Sequence, residues 1–271
     1  MRTSEETLAA LRSRSHYSVD DLLLIMQVLR SENGCPWDKE QTHQSIRQDF
    51  LEECYEAVEA IEADSVPMMR EELGDVLLQV VFHCQIEAEQ SHFTFGDICD
   101  EVCRKLVVRH PHVFGDVTAD TSEEVLRNWD SIKQETKQQK SAAKTLDGVC
   151  KALPALMYAQ KLGKRAGRAG MDWQNAEDAF DYIRRETDEL AEAMQSGQQE
   201  QIEEELGDLL FSCVNTARHL HVDAETALRA AAEKFRRRFA ETEKLVTADG
   251  KEMSALPIEE LDRYWDIAKQ K

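Results

Sequence analysis

Two matched sets of four carboxylates constrain the fold of this 271-residue chain more than any other feature of its sequence. The first set is Glu53, Glu56, Glu72 and Asp75, and the second is Glu186, Glu189, Glu205 and Asp208. Each position of the first set recurs in the second at the same offset of 133 residues. Both sets consist of two pairs with a spacing of three, and residues three apart share one face of a helix. The sequence therefore predicts two acids on each of two helices, twice in the chain.

Each set is also symmetric about a midpoint, which is residue 64 in the first half and residue 197 in the second. An antiparallel helical hairpin requires this symmetry if the acids are to meet across the pair, because the turn must lie at the midpoint. Both midpoints carry turn signals, Asp64-Ser65-Val66-Pro67 and Ser196-Gly197-Gln198. At 1.5 Å per residue, the acids should meet roughly 12–16 Å from the tip of each hairpin.

Four carboxylates brought together repel one another unless some are protonated or a cation neutralises them. Mg²⁺ suits this ligand set, because it takes oxygen ligands and binds carboxylates together with substrate phosphates. Di-iron sites in helical bundles add histidines, and neither set contains one. A single pair of acids three residues apart is most often part of a solvated helix surface. Repetition of the whole set around a turn favours a metal site.

Paired cations and tryptophans follow each set of acids. In the second half they are Lys234, Arg238, Trp265 and Lys269, and in the first half Lys105, Arg109, Trp129 and Lys133. The spacing of four within each pair corresponds to one helix face. Cations hold phosphate oxygens and an indole ring stacks on a base, so the combination with the acids indicates a nucleotide site. The alternatives are an ordinary basic helix surface for Lys234 and Arg238, and a core position for Trp265.

Several segments resemble the tandem MazG proteins, which are nucleoside triphosphate pyrophosphohydrolases. These segments are Glu32-Asn-Gly-Cys-Pro-Trp-Asp38, Leu51-Glu-Glu-Cys-Tyr-Glu56, Glu72-Leu-Gly-Asp75, Arg109-His-Pro-His-Val-Phe114, Glu204-Glu-Leu-Gly-Asp-Leu-Leu-Phe211 and Glu233-Lys-Phe-x-x-Arg-Phe239. The resemblance implies an all-α fold of two tandem MazG-like repeats that form four-helix-type bundles, assembled as a homodimer. It also implies Mg²⁺-dependent hydrolysis of nucleoside triphosphates, ATP and deoxynucleotides included, to the monophosphate and pyrophosphate. Mn²⁺ is the expected substitute for Mg²⁺.

The resemblance also implies roles for individual residues, and in this family the C-terminal repeat is the one usually credited with catalysis. Its metal ligands carry over onto Glu186, Glu189, Glu205 and Asp208, and its nucleotide contacts onto Lys234, Arg238 and Trp265, with Lys269 one turn beyond. Glu186 and Glu189 are also the candidate catalytic acids, and Glu189 is a candidate general base. Spacing alone does not separate ligands from base. Glu53, Glu56, Glu72 and Asp75 form a candidate second metal site.

One departure from the family pattern lies in the second half. The pattern E-E-x-x-E is complete as Glu52-Glu53-x-x-Glu56, whereas Arg185 stands where the first acid of the second half should be. The ligands are the second and third acids of the pattern, so no ligand is lost. Arg109 is followed at once by His110 and the helix-ending Pro111, which predicts less rigidly placed cations in the first half. The C-terminal repeat is therefore expected to carry most of the activity.

The chain divides into two repeats joined by a polar connector. We expect the N-terminal repeat at residues 19–138, a linker at 139–151 and the C-terminal repeat at 152–271, after a polar tail that ends near Ser18. Helices are expected near residues 19–32, 44–63, 67–91, 97–110, 122–138, 154–168, 176–196, 199–220, 224–247 and 257–270. The continuous apolar runs Val76–Phe82 and Leu209–Val214 predict helices covered on several sides, by the other repeat or by another subunit.

Composition argues against several functional classes. A formal charge of −20 disfavours nonspecific binding to nucleic acid or to anionic membranes, both of which require a basic surface. No apolar stretch approaches the ~20 residues of a membrane span, and the N-terminus lacks the core of a signal peptide. Seven scattered cysteines, an odd number, indicate reduced thiols in a cytoplasmic protein.

Some alternatives remain. Cys99 and Cys103 with His110 and His112 could bind zinc, although structural zinc sites rarely draw all ligands from one helix and its end. His83 is expected to be a packed or partly exposed helix residue rather than a metal ligand. A nucleotide or metal sensor without turnover would release no pyrophosphate. An acidic helical scaffold for a basic protein would show no stabilisation by Mg²⁺.

Overall fold

The chain folds into two compact units, Met1–Lys133 and Gln134–Lys271. The computed structural model describes residues 3–119, 121, 124, 125, 132 and 142–270. Within these residues the regular elements are helices and no strand occurs, which confirms the predicted all-α class. None of the described helices is long and apolar enough to span a bilayer.

The helices of the first unit are α1 (Glu5–Arg12), α2 (Val19–Leu29), α3 (Pro36–Glu40), α4 (Arg47–Glu62), α5 (Val66–Glu89), α6 (Phe95–Arg109) and α7 (Pro111–Phe114). Those of the second unit are α8 (Ala142–Asp147), α9 (Ala155–Arg168), α10 (Ala176–Ser196), α11 (Gln199–His219), α12 (Ala224–Ala248) and α13 (Ile258–Ala268). The predicted helix at 122–138 and the proposed boundary at residues 138 and 139 lie largely outside the described residues.

Each unit contains the hairpin that the carboxylate symmetry predicts. Helices α4 and α5 pack along each other, as do α10 and α11. The first turn falls at residues 63–65, where Asp64 adopts a φ of +49°. In the second turn Gly197 ends α10 in the left-handed conformation, with a φ of +69°. Glycine adopts this conformation without the steric cost that a Cβ atom brings. The chain thus reverses direction at both predicted midpoints.

Side-chain caps fix where several helices begin. Ser18 and Thr94 form capping boxes with Asp21 and Asp97 at the starts of α2 and α6. Asn175 at α10 and Asp223 at α12 each accept a hydrogen bond from a backbone amide of the first turn. Such caps satisfy amides that have no partner within the helix.

The core of the first unit lies between α2 and α5. Its buried side chains are Met26, Ile46, Val81, Phe82 and Ile86. Beside this core the largely buried Arg30 forms a two-pronged ion pair with Glu89, with N–O distances of 2.8 and 2.9 Å. The ion pair joins the end of α2 to the end of α5, and so it fixes one face of the helix that carries Glu72 and Asp75.

Close packing of α9 on α11 fixes the acid-bearing helix of the second unit. A Cβ atom at Gly163 would lie 2.3 Å from Asn215 Oδ1, so the glycine permits this approach. Nearby, Asp172 accepts hydrogen bonds from Arg218 and from His219, which anchors the loop before α10 to α11. The Arg218 hydrogen bond outweighs burial and lowers the pKa of Asp172 to about 2.

One expectation needs correction. The segment before Ser18 is not only a polar tail, because Ser4 caps a helix at Glu5–Arg12 and accepts a hydrogen bond from the Thr7 amide. The apolar runs are only partly covered within their own units, since Leu77, Leu210 and Phe211 remain 36%, 51% and 38% exposed. The predicted cover by a further helical surface stays a prediction.

Replacement of Gly197 by alanine should lower the free energy of unfolding by about 1 kcal/mol, because a Cβ atom is strained at this positive φ. The space around the position is open, so no clash should add to the loss. Gly207→Ala is the matched control: it lies within α11, also in open space, and alanine should stabilise a helix interior by about 0.8–1 kcal/mol. Denaturant unfolding of both variants measures the two effects, and equal signs would contradict the role of Gly197.

Candidate nucleotide and metal site

Three of the four acids of the first unit converge. Glu53 and Glu56 project from α4 and Glu72 projects from α5, and each offers a carboxylate oxygen within 4.8 Å of the others. The hairpin turn therefore brings together residues up to nineteen positions apart in sequence. Oxygen atoms at such distances can share one hard divalent cation.

The second unit repeats this arrangement with a different selection of acids. Here the carboxylate oxygens of Glu186, Glu205 and Asp208 lie within 4.8 Å of one another. The fourth acid, Glu189, lies outside this compact group, as does Asp75 in the first unit. The equal spacing of the two sets did not reveal this difference, because it depends on the side-chain rotamers.

The fourth acid of the second unit still acts on the group through its charge. Burial is the largest cause that raises the pKa of Glu186, and Glu189 is the largest of the neighbouring charges that add to it. The same two causes, in the same order, raise the pKa of Glu205. Both carboxylates are thus held in an environment that disfavours their charged form, which is the condition that a bound cation relieves.

The acids of the first unit show the same effect. Burial raises the pKa of Glu53, and the charges of Asp75, Glu56 and Glu72 raise it further. Asp49 contributes as well, from one turn earlier on α4. The predicted clustering of both sets is therefore present in the electrostatics as well as in the geometry.

A cleft of about 450 Å³ lies between α12 and α13. Its lining includes three of the predicted substrate-binding residues, Lys234, Arg238 and Lys269. Neither Lys234 nor Arg238 forms an ion pair within the described part of the chain, whereas Lys269 contacts Asp266 at 2.8 Å. The cleft can therefore offer two unneutralised cations to an anionic ligand.

The sequence prediction missed two charged residues that line the same cleft. Arg237 and Glu241 face it together with Lys234, at spacings of three and seven along α12. Those spacings belong to one helix face, so the signal was present in the sequence. Glu241 also lies 3.8 Å from Lys244.

Trp265 packs beside the cleft rather than lining it. Its ring lies 5.2 Å from that of Phe235, centroid to centroid and tilted by 47°. Phe235 in turn stacks on Phe239 at 6.2 Å. These two phenylalanines are 59% and 46% exposed, so an open aromatic surface adjoins the basic cleft.

The matching residues of the first unit are only partly described. Lys105 and Arg109 lie on α6, which ends at Arg109 as Pro111 predicted. Trp129 and Lys133 lie outside the described residues. In the second unit, by contrast, Arg238 lies in the middle of a helix that continues to Ala248.

The structure gives no support to the zinc alternative. Within the described part of the chain, the metal-capable groups are the two carboxylate clusters, and Cys99, Cys103, His110 and His112 do not form one. His83 is half-buried and packs against the rings of His43 and Phe50. Burial lowers the pKa of His83, which fits the predicted packing role.

Comparison with known protein families agrees with this geometry. The model of the MazG nucleotide pyrophosphohydrolase domain matches twice, at residues 41–114 and 174–241. Each match contains one complete set of acids. The chain belongs to the MazG family. The predicted resemblance to a tandem family of pyrophosphate-releasing hydrolases is thereby confirmed.

Similar proteins in bacteria match along most of this MazG chain. A nucleoside triphosphate pyrophosphohydrolase of Escherichia coli is 48% identical over 255 residues, which cover 93% of this chain and 97% of that protein. A nucleoside triphosphate pyrophosphohydrolase/pyrophosphatase MazG of Thermotoga maritima is 44% identical over 250 residues, 92% of this chain and 95% of its own. The chain also matches the uncharacterized protein YabN of Bacillus subtilis at 42% identity, over 50% of that longer protein.

Addition of Mg²⁺ should raise the melting temperature, because a cation at the acids stabilises the folded state by mass action. Glu205→Gln should reduce this increase, since it removes a charged oxygen at nearly constant volume. Glu204→Gln is the matched control, one residue away and outside the compact group. Differential scanning fluorimetry across a Mg²⁺ titration measures the shift. An unchanged shift in Glu205→Gln would remove Glu205 from the ligand set.

The acids should also give the cation-free protein a specific pH dependence. The pKa of Glu205 is raised above its ordinary value of 4.5, so the folded state binds this proton more tightly than the unfolded state. The contribution of Glu205 to the free energy of unfolding is therefore fully present below pH 4.5. It is lost as the pH rises through the folded-state pKa of this carboxyl group. The melting temperature of Glu205→Gln minus that of wild type should increase between pH 4 and pH 7 in the presence of a chelator. A difference that falls over this range would contradict the sign of the shift.

Proposed function

We propose that this chain hydrolyses nucleoside triphosphates to the nucleoside monophosphate and pyrophosphate in its C-terminal unit. One observation carries the proposal: the same unit holds a metal-capable group of carboxylates and a cleft lined by Lys234, Arg238 and Lys269. The names of the Escherichia coli and Thermotoga maritima relatives state the same class of activity for those proteins.

Glu186, Glu205 and Asp208 are the residues that would hold the divalent cation. Their ligand atoms are all oxygen, lie within 4.8 Å of one another, and belong to a cluster in which burial raises the pKa of Glu186 and Glu205. This set fits a hard cation, and we assign Mg²⁺, with Mn²⁺ as its substitute. Bound there, the cation neutralises phosphate charge and lowers the pKa of a bound water.

Glu189 is the best candidate for the general base. It lies on α10, one turn after Glu186, and outside the compact group that would hold the cation. A carboxylate that is not a ligand remains available to accept a proton from the attacking water. Glu186, the other candidate catalytic acid, would act as a ligand of the divalent cation.

Lys234, Arg238 and Lys269 would hold the phosphates. Arginine contributes planar, forked hydrogen bonds and lysine contributes a compact charge. Trp265, with the exposed Phe235 beside it, would pack against the nucleoside, since an aromatic ring stacks on any base. This arrangement does not discriminate between sugars, so we include both ribonucleotides and deoxynucleotides as substrates.

The proposal includes a homodimer in the cytoplasm. The exposed apolar residues of α11, Leu206, Leu210 and Phe211, offer a surface for a second copy. Reduced thiols fit the cytoplasm, and all seven cysteines are free. The formal charge of −20 continues to argue against nucleic acid and anionic membranes as partners.

We propose the C-terminal repeat, residues 152–271, as the main catalytic one and the N-terminal repeat, 19–138, as metal-competent but less active. This assignment is supported by the positions of the basic side chains in the two repeats. Arg238 is fixed within α12, whereas Arg109 is the last residue of α6. A misplacement of about 1 Å in a catalytic group can cost roughly 10²-fold in rate.

The decisive experiment measures pyrophosphate and orthophosphate release from the eight common nucleoside triphosphates, with and without Mg²⁺. Pyrophosphate with the monophosphate is expected, and orthophosphate alone would overturn the cleavage site. Glu186→Gln/Glu189→Gln should abolish most turnover, and Glu53→Gln/Glu56→Gln is the matched control in the other unit. The reverse result would assign catalysis to the N-terminal repeat.

Lys234→Ala and Arg238→Ala should each lower kcat/KM about tenfold or more, because each removes a charge-assisted phosphate contact worth about 1.5–3 kcal/mol. The Mg²⁺ concentration that gives half-maximal activity should change little. Arg236→Ala is the matched control on the same helix, since Arg236 is held by Glu233 in a two-pronged ion pair. Steady-state kinetics that do not separate the first two variants from Arg236→Ala would return this helix to an ordinary basic surface.

A further inference from the structure

The two sets of acids have oppositely charged flanks. The offset of 133 residues that relates the sets also places Tyr182 and Arg185 at the positions of Asp49 and Glu52. At the positions one turn before the first acid and immediately before it, the first unit thus carries two carboxylates, and the second an aromatic ring and a guanidinium group. These two positions differ by three unit charges between the units.

The guanidinium group of Arg185 is held by an aromatic ring. Its carbon Cζ lies 4.8 Å from the centroid of the Tyr182 ring, within the range of a cation–π contact. The Tyr182 ring packs edge-on against Trp173 at 5.2 Å. These contacts connect the loop before α10 with Arg185, the residue next to Glu186. The position of the Arg185 guanidinium group is therefore partly fixed before any ligand binds.

Arg185 has no anionic partner among the described residues, although acids are within reach along its helix. Asp181 lies one turn before it and Glu189 one turn after, at spacings at which arginine commonly forms ion pairs. Asp181 pairs instead with Arg184, at 2.7 Å. The exposed donors of Arg185 therefore remain available to an external anion.

We infer that Arg185 binds a phosphate oxygen of the nucleoside triphosphate at the C-terminal acids. The inference rests on the proposed function and adds a substrate-binding residue to it. Arg185 shares one face of α10 with Glu189, the fourth acid of the set, one turn further on. Its long side chain can therefore reach a phosphate held at these acids. A guanidinium group pairs with phosphate through forked hydrogen bonds, and its place on Tyr182 reduces the entropy that binding removes.

The position of Arg185 in the fold gives it a role distinct from that of Lys234 and Arg238. Those two cations lie on α12, whereas Arg185 lies on α10, the helix that carries Glu186 and Glu189. It therefore adds a positive charge to the helix that carries two of the four acids of the unit. An arginine at the position where the first unit carries Glu52 lowers the repulsion that a triphosphate meets on approach.

The test compares Arg185→Glu, which introduces the residue of the first unit, with Arg185→Gln and Arg185→Lys. Arg184→Glu is the matched control: it is the neighbouring exposed arginine, it makes the same charge change, and it also lies over a ring, that of Phe180 at 5.1 Å. The probe is α,β-methylene-ATP with saturating Mg²⁺, whose dissociation constant is measured by calorimetry. KM and kcat for ATP are measured in parallel.

Arg185→Glu should raise both the dissociation constant and KM about tenfold or more, as expected for loss of a charge-assisted contact, with a smaller change in kcat. Arg185→Gln should lie between it and wild type, and Arg185→Lys should be closest to wild type. Tyr182→Leu should weaken binding less than Arg185→Gln, because it keeps the guanidinium group of Arg185 and removes only the ring on which that group packs. Arg184→Glu should leave the dissociation constant within about twofold of wild type, since Arg184 is exposed and already paired with Asp181, and exposed ion pairs contribute little.

Equal dissociation constants for Arg185→Glu and Arg184→Glu would overturn the inference. A change confined to the Mg²⁺ concentration for half-maximal activity would also overturn it, because Arg185 would then act on the acids and not on the phosphate. These outcomes are distinct from failure of the proposed function, in which wild type releases no pyrophosphate. The calorimetric measurement does not depend on turnover, and circular dichroism checks that each variant is folded.

Discussion

Repulsion between carboxylates held close together is the interaction on which the rest of this structure depends. Packing of α10 on α11 forces Glu186, Glu205 and Asp208 into one small volume, and burial there disfavours their charged forms. A fold that brings such groups together requires rigid helices and a turn at a fixed position. The hairpin and the glycine at Gly197 meet these two requirements.

The two units share one hairpin design and differ in what surrounds it. In the first unit Asp49 adds negative charge next to Glu53, whereas in the second the matching position is Tyr182, which supports Arg185. The second unit also presents an open basic cleft along a continuous helix. The acids recur in both units, and the charges around them differ. This difference is a physical reason to expect unequal properties from two sets of acids with the same spacing.

Membership of a family and the convergence of particular side chains are separate properties of this chain. Two matches to the MazG domain and extensive similarity to the Escherichia coli relative place the chain in its family. They do not describe which side chains converge. The structure adds Arg237, Glu241 and Phe235 to the surroundings of the cleft, and it leaves Glu189 and Asp75 outside the compact groups.

The sequence by itself determined the hairpins, because a spacing of three and a symmetric midpoint are consequences of helix geometry that need no knowledge of tertiary contacts. It also located the turns at Asp64 and Gly197 and the cations at Lys234 and Arg238. It did not show the helix at Glu5–Arg12, although Ser4 and the acids after it are a recognisable start signal. Only the tertiary structure decided which three acids of each set meet, that Trp265 packs on Phe235, and that Arg185 rests on Tyr182 instead of pairing with Asp181. Those outcomes depend on side-chain rotamers and on packing between residues distant in the chain, and local spacing carries no information about either.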